Sequence, residues 1–364
     1  MKIKIPQHIQ ELRSYKPGKP IAQIIEELEL ADTAILWNNE NNFGASPKAL
    51  DKVREALETS YLYPDPTSLE LRTTIAKRCG RTPDEVIVGN GSEEVLNNVL
   101  KAFCSGEDEL LTSEGTFVAI YIWAKSNNVP CRKISLTEGY GFDLDAIAEG
   151  ISDNTKVIYL SNPNNPTGAM ISESELNAFL ARVPEHILVV VDEAYSEYAV
   201  ELSDVYPDST KLKKDNVITL RTFSKAYGIA AMRVGYGIAH HEVIEALSKV
   251  KMTFAPSNVA QAAGLGALED SDFLNKTVQS NKEGIEYLSA VCEDLNLDYV
   301  PSFGNFVMID FKDTERVQEL FNQLLKLGAF VRPLTAFGLP HCMRVTVGLP
   351  RENALFAAAL NSCL

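Results

Sequence analysis

The chain has 364 residues, of which 34 are Lys or Arg and 49 are Asp or Glu, so its formal net charge is −15. This excess of acidic residues argues against nucleic acid or an anionic membrane surface as a partner, because both require clustered positive charge. The hydrophobic fraction of 45% and the charged fraction of 23% exclude a disordered or fibrous chain. No stretch reaches the roughly 18 apolar residues of a membrane span and no signal peptide is recognisable, so we expect a cytoplasmic protein.

Short β-rich runs alternate with segments of helical periodicity, which predicts an α/β fold with a mostly parallel central sheet flanked by helices. In chain order, the predicted strands of this sheet are 85–89, 109–112, 156–160, 187–191, 217–220 and 234–239. The run 187–191 has no polar residue, as expected for a strand that helices cover on both faces. The predicted helices are 93–103, 116–126, 173–182 and 242–251. Ser92 is a candidate N-cap of the first, and Ser172 with Glu175 predicts a capping box for the third.

From about residue 275 the pattern changes to a long helix over 275–296, then a strand at 306–311 and a helix at 314–327. Strands at 330–334 and 343–348 and a last helix complete what we interpret as a smaller α+β domain. We therefore predict a large domain over 31–275 and a small domain over 276–364, consistent with roughly 150 residues per domain. Residues 1–30 are too few for a core of their own, so we expect an arm that packs on the small domain or on a partner subunit.

Common phosphate, metal and hydrolase motifs are absent. The segment Gly89-Asn90-Gly91 follows a strand, but Glu94 stands where a dinucleotide fingerprint needs its third glycine, which disfavours a nicotinamide oxidoreductase. The chain contains no Walker motif, no HExxH pair and no GxSxG elbow. Its six cysteines are isolated from one another, so we predict neither a disulfide framework nor a metal site.

Three polar segments follow predicted strands directly, at the edge where open α/β sheets bind ligands. They are SNPNNPTG at 161–168, DEAY at 192–195 and RTFSKAYG at 221–228. Each alone could be a turn, a helix cap or a solvated loop. Their appearance after three strands of one sheet favours a functional site.

Pyridoxal phosphate requires the residue types that these segments contain. Its aldehyde binds a lysine amine, and its ring nitrogen needs a carboxylate to stay protonated, which Lys225 and Asp192 can supply. Its phosphate needs backbone N–H groups at a helix start together with hydroxyl groups and an arginine. The candidate phosphate ligands are Gly91, Ser92, Glu93, Thr222, Ser224 and Arg233. Phe117 is a candidate to lie over the ring, and Asn165 and Tyr195 are candidates to contact its hydroxyl.

Over nearly its whole length the sequence resembles the fold-type I pyridoxal-phosphate aminotransferases, and within them it is most similar to the histidinol-phosphate aminotransferases. The matching segments include WNNEN at 37–41, YPDP at 63–66, GNGSEE at 89–94 and the three polar segments. Two further matches are MRVGY at 232–236 and VRPLTAFGLPHCMRVTVG at 331–348. The match of so many segments in the same order makes the resemblance specific.

The resemblance implies a role for each candidate. Lys225 would bind the cofactor and move the proton during the reaction, Asp192 would pair with the ring nitrogen, and Tyr195 would act with them. Asn165 would contact the ring hydroxyl beside Tyr195, and Phe117 would stack on the ring. The remaining cofactor ligands would be Gly91, Ser92, Glu93, Ser224 and Arg233, and Thr222 stays a candidate from its chemistry alone. Tyr63 would reach the active site of the neighbouring subunit, which implies a homodimer with shared active sites.

The resemblance also implies that Arg344 binds the anionic end of the substrate, and Arg332 is a second candidate for this role. A guanidinium fork suits both a carboxylate and a phosphate, so one site would accept two unlike molecules in turn. Asn165 and Tyr15 complete the candidate substrate ligands. Relatives usually have NENPYGPSP where this chain has NENNFGASP at 39–47, which leaves the preference for the substrate side chain open.

The leading functional hypothesis is therefore transamination of L-histidinol phosphate with 2-oxoglutarate to imidazole acetol phosphate and glutamate, a step of histidine biosynthesis. Its small-molecule partners would be an amino donor and a 2-oxo acid. Two alternatives share every cofactor residue: an aromatic amino-acid aminotransferase and a threonine-phosphate decarboxylase. A non-catalytic binding subunit is a further alternative, although such a protein would not need Lys225.

Overall fold

The computed structural model describes residues 3–12, 14 and 19–364. In chain order its strands are β1 (Ala34–Ile35), β2 (Val86–Gly89), β3 (Glu109–Ser113), β4 (Cys131–Ile134), β5 (Thr155–Ser161), β6 (Leu188–Asp192), β7 (Val217–Thr222), β8 (Gly235–Ile238), β9 (Asp298–Val300), β10 (Phe306–Asp310), β11 (Ala329–Phe330), β12 (Arg332–Leu334) and β13 (Leu339–Thr346).

The α-helices in chain order are α1 (Gln7–Gln10), α2 (Ile21–Glu27), α3 (Pro47–Leu57), α4 (Leu69–Cys79), α5 (Ser92–Phe103), α6 (Ala119–Ser126), α7 (Leu144–Glu149), α8 (Glu173–Leu180), α9 (Ser196–Leu202), α10 (His241–Val250), α11 (Asn258–Glu269), α12 (Ser271–Asp294), α13 (Thr314–Lys326) and α14 (Pro350–Cys363). No helix among the described residues is both long enough and apolar enough to span a membrane.

A seven-stranded sheet in the order β2-β8-β7-β6-β5-β3-β4 forms the centre of the molecule. Strand β8 is antiparallel to both of its neighbours, and the other pairs are parallel. Buried side chains cover the sheet on both faces, with Val190 in one apolar cluster and Val189 and Val191 in another. The predicted α/β fold with a mostly parallel central sheet is confirmed.

A second sheet of four antiparallel strands, in the order β12-β13-β10-β9, lies near the carboxyl end of the chain. Helices α12, α13 and α14 contribute Leu288, Leu320 and Phe356 to its core, and Leu36 from the amino-terminal part joins the same cluster. Strand β1 pairs in parallel with β11. Helix α1 lies against α6, and Glu11 forms an ion pair with Lys125. The division at residues 30 and 275 and the packing of the arm on the small domain or on a partner subunit stay predictions.

Two local predictions were wrong for identifiable reasons. Helix α5 begins at Ser92 itself, and its N-cap is Gly91, which makes no side-chain capping bond. The predicted strand over 330–334 is split, because Phe330 pairs with β1 whereas Arg332 pairs with β13. By contrast, the capping box of Ser172 and Glu175 is confirmed at the start of α8.

Candidate active site

The three polar segments meet where β5, β6 and β7 end. Ser161, the last residue of β5, is the register partner of Asp192, the last residue of β6. Strand β7 ends at Thr222, three residues before Lys225. Since these strands are parallel, their carboxyl ends lie at one edge of the sheet, as the sequence predicts.

Lys225 is half-buried between the two sheets, and its Nζ donates a hydrogen bond to the backbone oxygen of Asn38 at 3.1 Å. The same nitrogen lies 5.9 Å from the centre of the Tyr195 ring. Burial, and after it the positive charge of Arg344, lowers the pKa of Lys225 to about 8. The amine is therefore poised to lose its proton near neutral pH, as a nucleophile and proton carrier requires.

The two carboxylate oxygens of Asp192 have different surroundings. Oδ2 accepts a hydrogen bond from the Tyr159 hydroxyl at 2.9 Å, whereas Oδ1 is buried and has no hydrogen-bond partner among the described residues. Burial raises the pKa of this carboxyl group to about 6. A buried acceptor without a donor is costly, so Oδ1 fits a ligand that presents an N–H group to it.

The first turn of α5 forms a cradle of backbone N–H groups close to this edge. Gly91 has φ +78°, and a Cβ atom at this position would lie 2.9 Å from Nη2 of Arg233. A Cβ atom on Gly235 would lie 2.3 Å from the backbone nitrogen of Ser92. Because no side chain caps the helix, its first N–H groups remain available to an anion.

Hydroxyl and guanidinium groups border this cradle. Thr222 Oγ1 donates to Ser224 Oγ at 3.0 Å, and Arg233 Nη1 donates to the same Ser224 oxygen at 3.4 Å. Arg233 Nη2 also lies 3.9 Å from a carboxylate oxygen of Glu93. The structure thus brings all six predicted phosphate ligands to one place, although the acidic side chain of Glu93 faces the arginine and can serve a phosphate only through its backbone.

Asn165 and Tyr195 join this edge to the second sheet. Asn165 Oδ1 accepts from Arg344 Nη1 at 2.5 Å, and the Tyr195 hydroxyl accepts from Asn39 Nδ2 at 2.9 Å. Phe117 is half-buried at the turn that precedes α6. This turn is tied to the Asn165 loop, because Thr116 Oγ1 donates to Asn164 Oδ1 at 2.8 Å.

The two candidate substrate arginines are direct register partners, Arg332 on β12 and Arg344 on β13. Arg344 is buried, and burial lowers its pKa to about 10. Within the described residues, all the hydrogen bonds that these guanidinium groups make go to neutral oxygens, those of Trp37, Asn38 and Asn165. Nε of Arg344 is buried without a partner. Two like charges side by side are unfavourable unless an anion neutralises them, so this pair fits an anionic ligand.

One predicted residue is not brought to this network, and another lies outside the described residues. Tyr63 is 80% exposed, and its ring stacks on Phe254 with centroids 4.4 Å apart. The prediction for Tyr15 lies outside the described residues.

Sequence reasoning missed two buried residues that contact the predicted ones. Asn39 has φ +57° and donates to Tyr195, while its backbone nitrogen donates to Thr346 Oγ1 at 3.0 Å. Tyr159 donates to Asp192, and in the sequence it is one apolar-looking residue of a strand. The only indication in the sequence that Asn39 belongs to the site was its place in the matching WNNEN segment. Nothing in the sequence indicated a role for Tyr159.

The donor set fits pyridoxal phosphate at each of its chemical groups. Lys225 offers an amine for the aldehyde, the unpartnered Oδ1 of Asp192 would suit a protonated ring nitrogen, and the α5 cradle with Arg233 would suit the phosphate. The cradle also explains the two glycines, because a side chain at Gly91 or Gly235 would fill it or displace it.

Comparisons with known proteins agree with this geometry. Residues 33–359 match the family described as aminotransferase class I and II. The histidinol-phosphate aminotransferase of Halalkalibacterium halodurans is 40% identical over 364 residues, which cover 100% of this chain and 97% of the relative. That of an Anaeromyxobacter species is 41% identical over 362 residues and covers 99% of each chain.

A solved structure is similar over the whole fold. The crystal structure of histidinol-phosphate aminotransferase from Sinorhizobium meliloti in complex with pyridoxal-5'-phosphate has a TM-score of 0.88 and 27% sequence identity, and the match covers 99% of this chain and 97% of that one. The chain therefore belongs to the class I and II aminotransferases, which are pyridoxal-phosphate enzymes, and within them to the group of histidinol-phosphate aminotransferases.

Proposed function

We propose that this protein transaminates L-histidinol phosphate with 2-oxoglutarate, giving imidazole acetol phosphate and glutamate. The observation that carries the proposal is the cross-strand pair of Arg332 and Arg344, two guanidinium groups without a carboxylate among their hydrogen-bond partners. A phosphate dianion can use both groups together, whereas a single carboxylate needs one fork. The names of the relatives of about 40% identity support the same substrate.

Pyridoxal phosphate, when bound, supplies an electron sink that stabilises negative charge at the substrate Cα. Asp192 Oδ1 would keep a proton on the ring nitrogen. Lys225 Nζ would hold the cofactor aldehyde in the resting enzyme, and as a free amine it would carry the proton at the substrate Cα, which its pKa of about 8 favours near neutral pH. Arg344 and Arg332 hold the anionic end of the substrate, so that its Cα is oriented towards Lys225. We assign the remaining predicted roles, those of Asn165, Tyr195, Phe117 and the phosphate ligands, as the resemblance implies.

A substrate panel with the cofactor-loaded enzyme tests the proposal. We expect turnover of L-histidinol phosphate with 2-oxoglutarate, measured as glutamate formed, at a kcat/KM far above that for phenylalanine. Absence of glutamate from histidinol phosphate would overturn the assignment. Preference for phenylalanine would indicate an aromatic aminotransferase, and release of CO2 from threonine phosphate would indicate the decarboxylase.

The variant Arg332→Gln tests whether the phosphate of histidinol phosphate uses Arg332 more than the carboxylate of glutamate does. We expect the KM for histidinol phosphate to rise by roughly tenfold or more, because a charge-assisted contact to the phosphate is lost. The KM for glutamate should change much less, since Arg344 keeps its fork. An equal rise for both substrates would contradict a phosphate site that uses both arginines.

We also propose that the enzyme is a homodimer with shared active sites in the cytoplasm. An exposed apolar patch supports the dimer: Tyr61 is 82% exposed, Leu62 56%, Tyr63 80%, Met252 67% and Phe254 40%. Aromatic side chains that cluster on a surface are typical of protein interfaces. A matching surface on a second copy would bury Tyr63 beside the neighbouring active site.

Subunit complementation tests the shared site. Lys225→Ala and Tyr63→Ala homodimers should each be weakly active, while a mixed population should recover activity, because one site of each heterodimer keeps both residues. Absence of recovery after confirmed subunit exchange would refute a contribution of Tyr63 across the interface.

A further inference from the structure

We propose that Tyr159 is a positioning residue for the cofactor: its hydroxyl holds Oδ2 of Asp192 so that Oδ1 faces the ring nitrogen. The proposal rests on the cofactor and not on the choice of substrate. Two observations carry it: the 2.9 Å hydrogen bond from Tyr159 to Oδ2, and the absence of any partner for the buried Oδ1.

Tyr159 lies in the interior of the large sheet, on β5. It is fully buried and packs in an apolar cluster with Val99, Val190 and Leu220. A phenylalanine would fill the same space, and a hydroxyl group in such a core is unfavourable unless it is hydrogen-bonded. The hydroxyl of Tyr159 meets this requirement by donating its hydrogen bond to Asp192.

The register of the sheet explains how the phenol reaches the end of the neighbouring strand. Tyr159 is opposite Val190 on β6, and Ser161 is opposite Asp192. Tyr159 is therefore two residues behind the carboxylate and on the same face of the sheet as Ser161. From that position its hydroxyl reaches Asp192 Oδ2 from the interior of the sheet, which leaves Oδ1 free for a ligand.

The bond affects charge as well as orientation. Burial raises the pKa of Asp192 to about 6, and the Tyr159 hydroxyl opposes this rise because it stabilises the ionised form. The other titratable groups that face Asp192 are Glu193, Glu93, Tyr195 and Lys225. Glu193 and Glu93 raise its pKa further, whereas Tyr159, and after it the backbone N–H of Ala194, favours its charged form. The positive charge of Lys225 acts in the same direction.

Removing the hydroxyl should therefore raise the pKa of Asp192. The fraction of protonated Asp192 then increases more at pH 6 than at pH 8, since pH 6 lies at the pKa of about 6 of the parent enzyme and pH 8 lies well above it. A protonated Asp192 cannot hold a proton on the ring nitrogen, so cofactor affinity should fall most at the lower pH.

The test compares Tyr159→Phe with the parent enzyme by titrating each apoenzyme with pyridoxal phosphate at pH 6 and pH 8. We expect the variant to bind roughly tenfold or more weakly at pH 6 and to differ less at pH 8. Tyr206→Phe is the matched control: Tyr206 is also buried, and its hydroxyl donates to the backbone oxygen of Asn162 at 2.8 Å. The control should not show this dependence on pH.

A cofactor analogue whose ring nitrogen is replaced by carbon distinguishes a loss of the Asp192 contact from a general structural defect of the variant. Tyr159→Phe and the parent enzyme should bind this analogue equally well. Equal weakening of the analogue and the natural cofactor, or no weakening of either, would overturn the proposal. Failure of the parent enzyme to convert histidinol phosphate would leave this titration unaffected, so the two proposals can fail separately.

Discussion

Substitution of Gly235 by alanine should displace the backbone N–H groups of the phosphate cradle, although Gly235 is not itself a predicted phosphate ligand. A Cβ atom at this position would lie 2.3 Å from the backbone nitrogen of Ser92 and 2.7 Å from the carbonyl carbon of Gly91. Ordinary contact begins at 3.4 Å, so the first turn of α5 must move by about 1 Å. Both neighbours are backbone atoms, which cannot rotate away as a side chain can.

A displacement of about 1 Å misdirects N–H groups that should point at the phosphate. Loss of one hydrogen bond to a charged group weakens binding by about 1.5–3 kcal/mol, which corresponds to roughly tenfold to a hundredfold in Kd. The overpacking itself should cost about 1–3 kcal/mol of unfolding free energy. We therefore expect Gly235→Ala to fold with reduced stability and to bind pyridoxal phosphate at least tenfold more weakly.

Gly237→Ala is the matched control on the same strand and the same face. Its Cβ atom would meet side-chain carbons of Val95, Ile218 and Ile87 at 3.0–3.2 Å, so the neighbours can adjust by small rotations. This variant should lose stability but keep its cofactor affinity. The assay is an absorbance titration of each apoenzyme together with chemical denaturation. Unchanged cofactor affinity in Gly235→Ala would refute the reasoning.

Three further results are expected. The rate at which the apoenzyme binds pyridoxal phosphate should increase as the pH rises through about 8, the pKa of Lys225. Arg344→Gln removes a positive neighbour of Lys225, so it should shift this rate profile to higher pH. A stopped-flow pH profile that does not shift would contradict this. Arg221→Met should cost about 3–5 kcal/mol in denaturation experiments, because it leaves the fully buried carboxylate of Glu193 without its ion pair, and a loss below 1 kcal/mol would be inconsistent with that pairing. Ser172→Ala should cost about 1 kcal/mol through loss of the N-cap of α8, with cofactor affinity unchanged.

The strands that carry the chemistry were predictable because their signals are local. Strand β6 is apolar up to its last residue, Asp192, where the polar segment begins. The same pattern at β5 and β7 was enough to place Asn165 and Lys225 at one edge of the sheet. Parallel strands align their carboxyl ends, so three local patterns predicted one shared site.

The sequence did not predict helix α11, because residues that its packing requires have a low helix propensity. It contains Gly264 and Gly266, which weaken any helical signal. The structure requires one of them: a Cβ atom on Gly266 would lie 2.4 Å from the backbone oxygen of Lys48 in α3. Such a close approach of two helices depends on residues more than 200 positions apart, and a local pattern cannot reveal it.

The contact between Tyr159 and Asp192 was unpredictable for a related reason. The two residues lie on different strands, and only the register of β5 against β6 brings the hydroxyl to the carboxylate. A shift of the register by one residue would turn Tyr159 to the opposite face. Sequence patterns indicate which residues form strands, but not which residue stands opposite which.

Residues 37 and 38 explain how an acidic chain keeps Arg332, Arg344 and Lys225 available to ligands. The backbone oxygen of Trp37 accepts from Arg344 Nη2 at 2.7 Å, and that of Asn38 accepts from Lys225 Nζ. Carboxylates in these places would hold the cations more tightly and would have to be displaced by the substrate. Neutral carbonyl oxygens satisfy the donors without cancelling their charge, so an incoming phosphate or carboxylate replaces a weaker partner by a stronger one. The net charge of −15 therefore does not oppose anion binding, because within the described residues the acids lie outside the hydrogen bonds of these groups.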